Sequence, residues 1–250
     1  MSFLYPLGAA VLQAASATLD KATLSIKRVT YKSYNGISFP LIFLFTLIIF
    51  LIIKPNLSLN QFTPFLIILI IPNLLYYRAL KSDLLSEMQT FSLLSSIPLI
   101  LLTALIFSEE RNPIIILLAI ISAGFLVWSH YEHHHLKISR KTLPYFIFIM
   151  IVAPFGGIIS KTLLKTFDPI SLQLIRDFII GVAFIIIFFK AIKQTPKKAY
   201  LPLILTNILT TIAWILYFFS YQKSGIIYTV LIFSLEPLLV YLTSIFLLKE

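Results

Sequence analysis

Glu236 stands near the middle of an apolar run from Gly225 to Leu248 and is followed at once by Pro237. A charged group at the centre of a bilayer costs about 2.5–3.5 kcal/mol on insertion scales, so a carboxyl group there must face a water-filled cavity or carry a proton. Two chemistries fit. Glu236 can couple proton movement to the passage of a solute, or it can stay protonated and brace the bend at Pro237 against a neighbouring helix. Arg176 lies inside another apolar run, beside Asp177. A guanidinium does not shed its charge, so Arg176 calls for a carboxylate on another helix or an anionic group on a substrate. Adjacent residues sit about 100° apart around a helix, which sends Arg176 and Asp177 in different directions.

A second group of residues is polar and aromatic. Asn207, Thr210, Trp214 and Tyr217 recur at intervals of three, four and three, which places them on one helical face. Asn73, Tyr76 and Tyr77 form a similar group earlier in the chain. A polar stripe along a lipid-soluble helix marks a cavity or a helix contact, although Tyr and Trp near the end of a run also serve as interface anchors. Asn73, Tyr76, Tyr77, Asn207, Trp214 and Tyr217, with Arg176, are the expected substrate-binding surface. Lys21 and Lys161 fall in the last turns of their helices, where a lysine either snorkels to the interface or marks one end of a pathway. The tract from His130 to His135 contains four imidazoles. No second cluster completes a metal shell, so it reads as a solvated loop, and neither a metal site nor a cofactor is expected. The chain has no phosphate-binding glycine loop, no His-Glu-x-x-His and no Gly-x-Ser-x-Gly. No enzyme is therefore expected, and any driving force must come from an ion gradient, with protons as the candidate, or from the solute itself.

These groups have to be held by helices in lipid. Of the 250 residues, 59% are hydrophobic and 12% charged, and the mean hydropathy is +0.96. An ordinary soluble domain is about 45–50% apolar and about 25% charged. The net charge of +10 does not point to nucleic acid, because the basic residues form short clusters between apolar runs. The chain lacks cysteine, which removes disulfides and thiol chemistry. A bilayer core needs roughly 20 apolar residues per helix. Cutting at charges, Pro, Gly and Asn gives nine runs: Phe3 to Leu24, Gly36 to Ile53, Phe62 to Leu80, Leu84 to Phe107, Pro113 to Ser129, Pro144 to Thr166, Pro169 to Lys190, Ala199 to Tyr221, and Gly225 to Leu248. Most Lys and Arg follow odd-numbered runs. By the positive-inside rule those loops face the cytoplasm and the N-terminus faces out.

The chain also resembles itself at a shift of about 140 residues, in the manner of an internal repeat. Leu19-Asp20-Lys21 falls on Ile159-Ser160-Lys161, Ser16-Ala17 on Gly156-Gly157, Tyr76 on Tyr217, and Glu109 on Glu250. Two copies of five helices are expected, residues 1–130 and 144–250, joined by a loop at 131–143. Five is odd, so the copies have inverted topology. The second copy stops after its fourth helix, and a tenth helix is expected to be missing. The first and sixth helices, rich in Ala and Gly, are expected at the seam.

The second half resembles the EamA-type transporters of the drug/metabolite transporter superfamily. That family repeats a five-helix unit with an Arg early in its second helix, a small or aromatic patch ending its third, a Glu-Pro in its fourth and a Glu just after it. The matching residues are Arg176, Phe219-Ser220-Tyr221, Glu236-Pro237 and Glu250. In the first half, Asn35 and Ser95-Ser96 stand where the pattern has Arg and Glu-Pro. The resemblance implies an all-α polytopic membrane protein built from two inverted repeats. It also implies that both termini lie in the cytoplasm, opposite to the charge bias. The expected function is a multi-pass secondary transporter of the plasma membrane that exports a small organic metabolite such as an amino acid or amphipathic compound. A lipid-linked or nucleotide-sugar flippase, with Arg176 on phosphate, and a non-transporting membrane scaffold are the alternatives.

Overall fold

The computed structural model describes residues 3–57, 63–83, 85–132 and 142–247. The loop after Glu132, the side chains of the histidine tract, and Glu250 lie outside the described residues. Among those described, all regular structure is helical: α1 (Leu4–Ser25), α2 (Tyr31–Ile53), a 3-10 stretch (Thr63–Leu69) running into α3 (Ile70–Ser82), α4 (Leu85–Ser92), α5 (Ser96–Ile106), α6 (Pro113–Glu132), α7 (Leu143–Leu163), α8 (Pro169–Ile192), α9 (Tyr200–Ser224), α10 (Ile226–Phe233) and α11 (Glu236–Leu247). Among the described residues, six helical stretches are long and apolar enough to cross a membrane: Tyr31–Ile53, Thr63–Ser82, Leu143–Leu163, Pro169–Ile192, Lys197–Ser224 and Ile226–Ile245. The chain is an all-α polytopic membrane protein. Its outer surface is aliphatic, as lipid requires: on α8, Ile186 is 72% exposed while Ile180 and Phe184 are fully covered.

Local chemistry sets the helix ends. Asp168 accepts from the Ile170 N–H at 2.8 Å, with Pro169 as the first residue of α8, where its missing N–H costs nothing. Asn112 does the same for Ile114 at 3.1 Å ahead of α6. Helix α2 begins five residues before the apolar run, because Thr30 and Ser33 form a reciprocal capping box. In the polar turn it adds, Ser33, Tyr34 and Asn35 are buried against other helices and not exposed at the membrane edge.

The expected fourth and ninth runs are each interrupted rather than continuous. Pro98 and Pro237 cannot donate to the preceding turn. Near both breaks, serine hydroxyls take up nearby carbonyls: Ser95 Oγ donates to Ser92 O at 2.6 Å, and Ser234 Oγ to Leu231 O at 2.6 Å. Such local repair is what makes a broken helix tolerable in lipid.

Helix α2 packs along α8, α1 along α9, and α3 with its 3-10 stretch against α7. Helix α1 also meets α10 and α11, as α7 meets α4 and α5. Exchanging α1, α2, α3 and the α4–α5 pair for α7, α8, α9 and the α10–α11 pair turns each of these contacts into another. The first and sixth helices therefore serve the seam by each packing on the third helix of the opposite half, rather than chiefly on one another. Close approach of α2 and α8 depends on Gly181, where a Cβ would lie 3.3 Å from the Phe39 carbonyl oxygen. Gly181→Val is expected to cost about 1–3 kcal/mol through overpacking, read as a lower midpoint of denaturant unfolding. An unchanged midpoint would show that the two backbones can part freely.

Candidate functional site

The two sets of helices enclose a central cavity of about 320 Å³, within the range of small-molecule sites. Helices α1, α2, α3, α4, α5 and α7 to α11 all contribute to its wall. Asn73, Tyr76, Tyr77, Arg176, Trp214, Tyr217 and Glu236 line it. Asn207 does not. It is buried and donates to Leu203 O at 2.6 Å on its own helix, so the stripe reaches the cavity only from Thr210 onward.

The wall is aromatic and largely self-supporting. Tyr76 stacks on Tyr77 at 4.9 Å between ring centres and on Tyr145 at 5.6 Å, and its hydroxyl accepts from Gln89 Nε2 at 3.1 Å. Trp214 meets Tyr217 at 5.2 Å, and Tyr217 meets Phe233 at 4.9 Å. Asn73 uses its amide on Leu69 O at 2.7 Å. The tyrosines are therefore parts of the cavity and not merely anchors at the membrane edge.

Two ionisable groups face the space. The Arg176 guanidinium lies 4.3 Å from the Trp214 ring and 5.3 Å from that of Phe218, a cation–π arrangement that holds a positive charge away from water. Its Nε is 3.5 Å from Asp177 Oδ1. The two neighbours therefore do approach each other, against the expectation from helix geometry, because the long arginine stem folds back. Asp177 is fully buried between α8 and α2, accepting from Gln173 at 2.6 Å and Thr46 at 2.9 Å. Arg176 thus has its counter-ion on its own helix. Glu236 begins α11 where the helix is broken, and among the described residues it makes no hydrogen bond or ion pair.

Residues 140–250 match the EamA-like transporter family. The match spans 111 of the 250 residues, from just before α7 to the last residue given. One solved structure, described only as the crystal structure of a protein, superposes with a TM-score of 0.69 over 95% of this chain and 89% of that one, at 13% identity. That likeness shows a shared fold. No curated protein matches the sequence.

Within the EamA-like half, Lys161 ends α7 by donating to Tyr221 O at 3.2 Å and pairing with Glu110 at 3.1 Å. Lys21 does the matching thing outside it, donating to Leu80 O at 2.9 Å and to Asp83 O. Both lysines pin the last turn of a third helix, where the backbone carbonyls are unsatisfied, so neither merely snorkels.

Sequence reasoning passed over two carboxylates. Glu110, not its neighbour Glu109, works at the corner facing the EamA-like unit. Its two oxygens accept from the N–H groups of Ile226 at 2.9 Å and Ile227 at 2.8 Å, at the start of α10. Asp20, beside Lys21, is buried among hydroxyl groups. A shift of 140 rather than 141 pairs Glu110 with Glu250, and that register was the available signal.

Proposed function

We propose that the protein is a secondary transporter of the plasma membrane that exports a small amphipathic organic metabolite such as an amino acid, with Glu236 carrying the coupling proton. The observation that carries this reading is the central cavity, where aromatic walls surround one counter-balanced cation, Arg176, and one carboxyl, Glu236, with no hydrogen bond or ion pair among the described residues. Aromatic faces suit the apolar part of such a solute, and the two ionisable groups suit its polar end. Residues 1–130 and 144–250 act in this reading as two repeats that rock about the cavity, which the exchange pattern of their contacts supports. Lys21 and Lys161 then sit at opposite ends of the path.

A phosphate-bearing cargo, as in a nucleotide-sugar transporter or flippase, is served less well. The cavity wall supplies one basic side chain among the described residues, and Asp177 already balances its charge. The test is transport by the purified protein in proteoliposomes, with an imposed pH gradient and a panel of amino acids, amphipathic metabolites and nucleotide sugars. Gradient-dependent movement of an amino acid or amphipathic compound is expected. Movement of nucleotide sugars alone would replace this reading with the second, and movement of nothing on the panel would favour a scaffold.

A further inference from the structure

Asp20 on α1 is 2% exposed and has no ion pair among the described residues, although Lys21 follows it directly. Its Oδ1 accepts from Thr206 Oγ1 of α9 at 2.5 Å and from the Tyr34 hydroxyl of α2, and its Oδ2 from the Tyr77 hydroxyl of α3 at 3.4 Å. Among the described residues its hydrogen-bond donors are all hydroxyl groups. Beyond Thr206 the contacts continue. Thr206 Oγ1 is 2.9 Å from Ser16 Oγ, which is 2.5 Å from Thr210 Oγ1. In both of those contacts either oxygen can be the donor. Thr210 lines the central cavity, as does Tyr77. A fully enclosed carboxyl is thus joined to the cavity by three hydroxyl groups in series.

We propose that Asp20 is a proton-binding site that exchanges protons with the cavity through Thr210, Ser16 and Thr206. A serine or threonine hydroxyl accepts one hydrogen bond while donating another, which is what a relay needs. For inward transfer, a cavity water gives a proton to Thr210 Oγ1. Thr210 passes its own hydrogen to Ser16, Ser16 to Thr206, and Thr206 to Asp20 Oδ1. Each oxygen gains one hydrogen and loses one, so only the carboxylate and the water change charge. Release reverses the same steps. This site stands apart from Glu236 and does not depend on which solute is carried.

The surroundings leave the proton as the species that titrates there. Tyr34 faces Asp20 from α2, Tyr77 from α3 and Thr206 from α9. Lys21 turns to carbonyls at the end of α3, and Lys81 to Leu24 O. On α11, Thr243 is engaged with Thr18 at 2.7 Å, and on α4, Gln89 reaches Tyr76. Arg176 stands beyond Tyr77, in the cavity wall.

Infrared difference spectra of the purified protein in lipid vesicles, taken between acidic and alkaline pH, test this without any solute. A carboxylic C=O stretch is expected that Asp20→Asn removes and Glu236→Gln leaves. Ser16→Ala should keep that band but slow its shift on transfer to D2O. If Asp20→Asn leaves the titrating bands unchanged, or Ser16→Ala leaves the exchange as fast as before, the proposal is wrong. Loss of the band on adding sodium chloride at fixed pH would identify a sodium site and overturn it too. Should Asp20→Asn not elute as a folded species, Tyr34→Phe serves instead. Removing one hydrogen bond must move the band's frequency, and an unmoved band rejects the assignment. Failure here leaves the transport reading untouched, while a silent transport assay with the Asp20 band intact rejects that reading alone.

Discussion

Glu236→Gln is expected to abolish accumulation driven by a pH gradient while leaving expression and elution of the protein unchanged. The amide keeps the size of the acid, and the wild-type carboxyl has no hydrogen bond or ion pair among the described residues to lose. A gradient of one pH unit supplies about 1.4 kcal/mol per proton, or about tenfold accumulation, and the whole of that factor should disappear. Exchange of solute without a gradient should persist, because the aromatic wall and Arg176 remain. The check is a paired measurement in proteoliposomes of gradient-driven uptake and equilibrium exchange. A mutant that still accumulates tenfold would move the coupling group elsewhere. The first half offers no substitute at the matching break, where Ser95 and Ser96 stand.

Gly225→Ala should be the most damaging single substitution at the junction of α9 and α10. Gly225 has φ 87° and ψ 168°, a region in which side chains cost of order 1–3 kcal/mol. A Cβ there would also lie 2.9 Å from the Glu110 carboxyl carbon. The methyl group would therefore push Glu110 off the two N–H groups it accepts from and off Lys161. Parting such a buried pair costs about 3–5 kcal/mol. Glu110→Ala should lose about that much, and Glu110→Gln less, since an amide oxygen still accepts. Unfolding in mixed micelles would give the ranking. If Gly225→Ala unfolds at the wild-type midpoint, the tight approach seen at this corner does not limit stability.

The approximate positions of the helices were legible because lipid imposes long apolar runs, and averaging over about twenty residues finds six of them among the described residues, while α1, α6 and the broken fourth run needed their boundaries read from charges, Pro and Gly. The position of Arg176 and Trp214 was legible for a related reason, since a charge or a polar stripe is conspicuous in such a run, and both line the cavity. Averaging is blind to what repairs a backbone locally. Ser92, Ser95 and Ser234 look like ordinary small residues, yet they help a helix to break. The start of α2 was lost because Tyr31 to Asn35 is polar, and its partners lie on helices remote in sequence. Asp20 and Glu110 were passed over because each has a charged neighbour, which made it read as part of a membrane-edge cluster. Asn207 was over-read, since periodicity places it on the same face as Thr210 but not at the same depth.

The pairing of α1 with α9 has a consequence for how the chain is made. Helix α1 is not among the stretches apolar enough to cross a membrane by their own composition. Its inner side is Ala9, Ala10, Ala14, Ser16 and Ala17, with Asp20 below, and Ser16 and Asp20 find their hydrogen bonds on Thr206 and Thr210 of α9. A helix carrying both Asp20 and Lys21 gains little from lipid alone. The main partner of α1 therefore becomes available only after α2 to α8 have been synthesised. Until then α1 must be sheltered by the insertion machinery or rest at the bilayer surface, and ribosome-bound chains ending before Tyr200 should hold it in an extractable state.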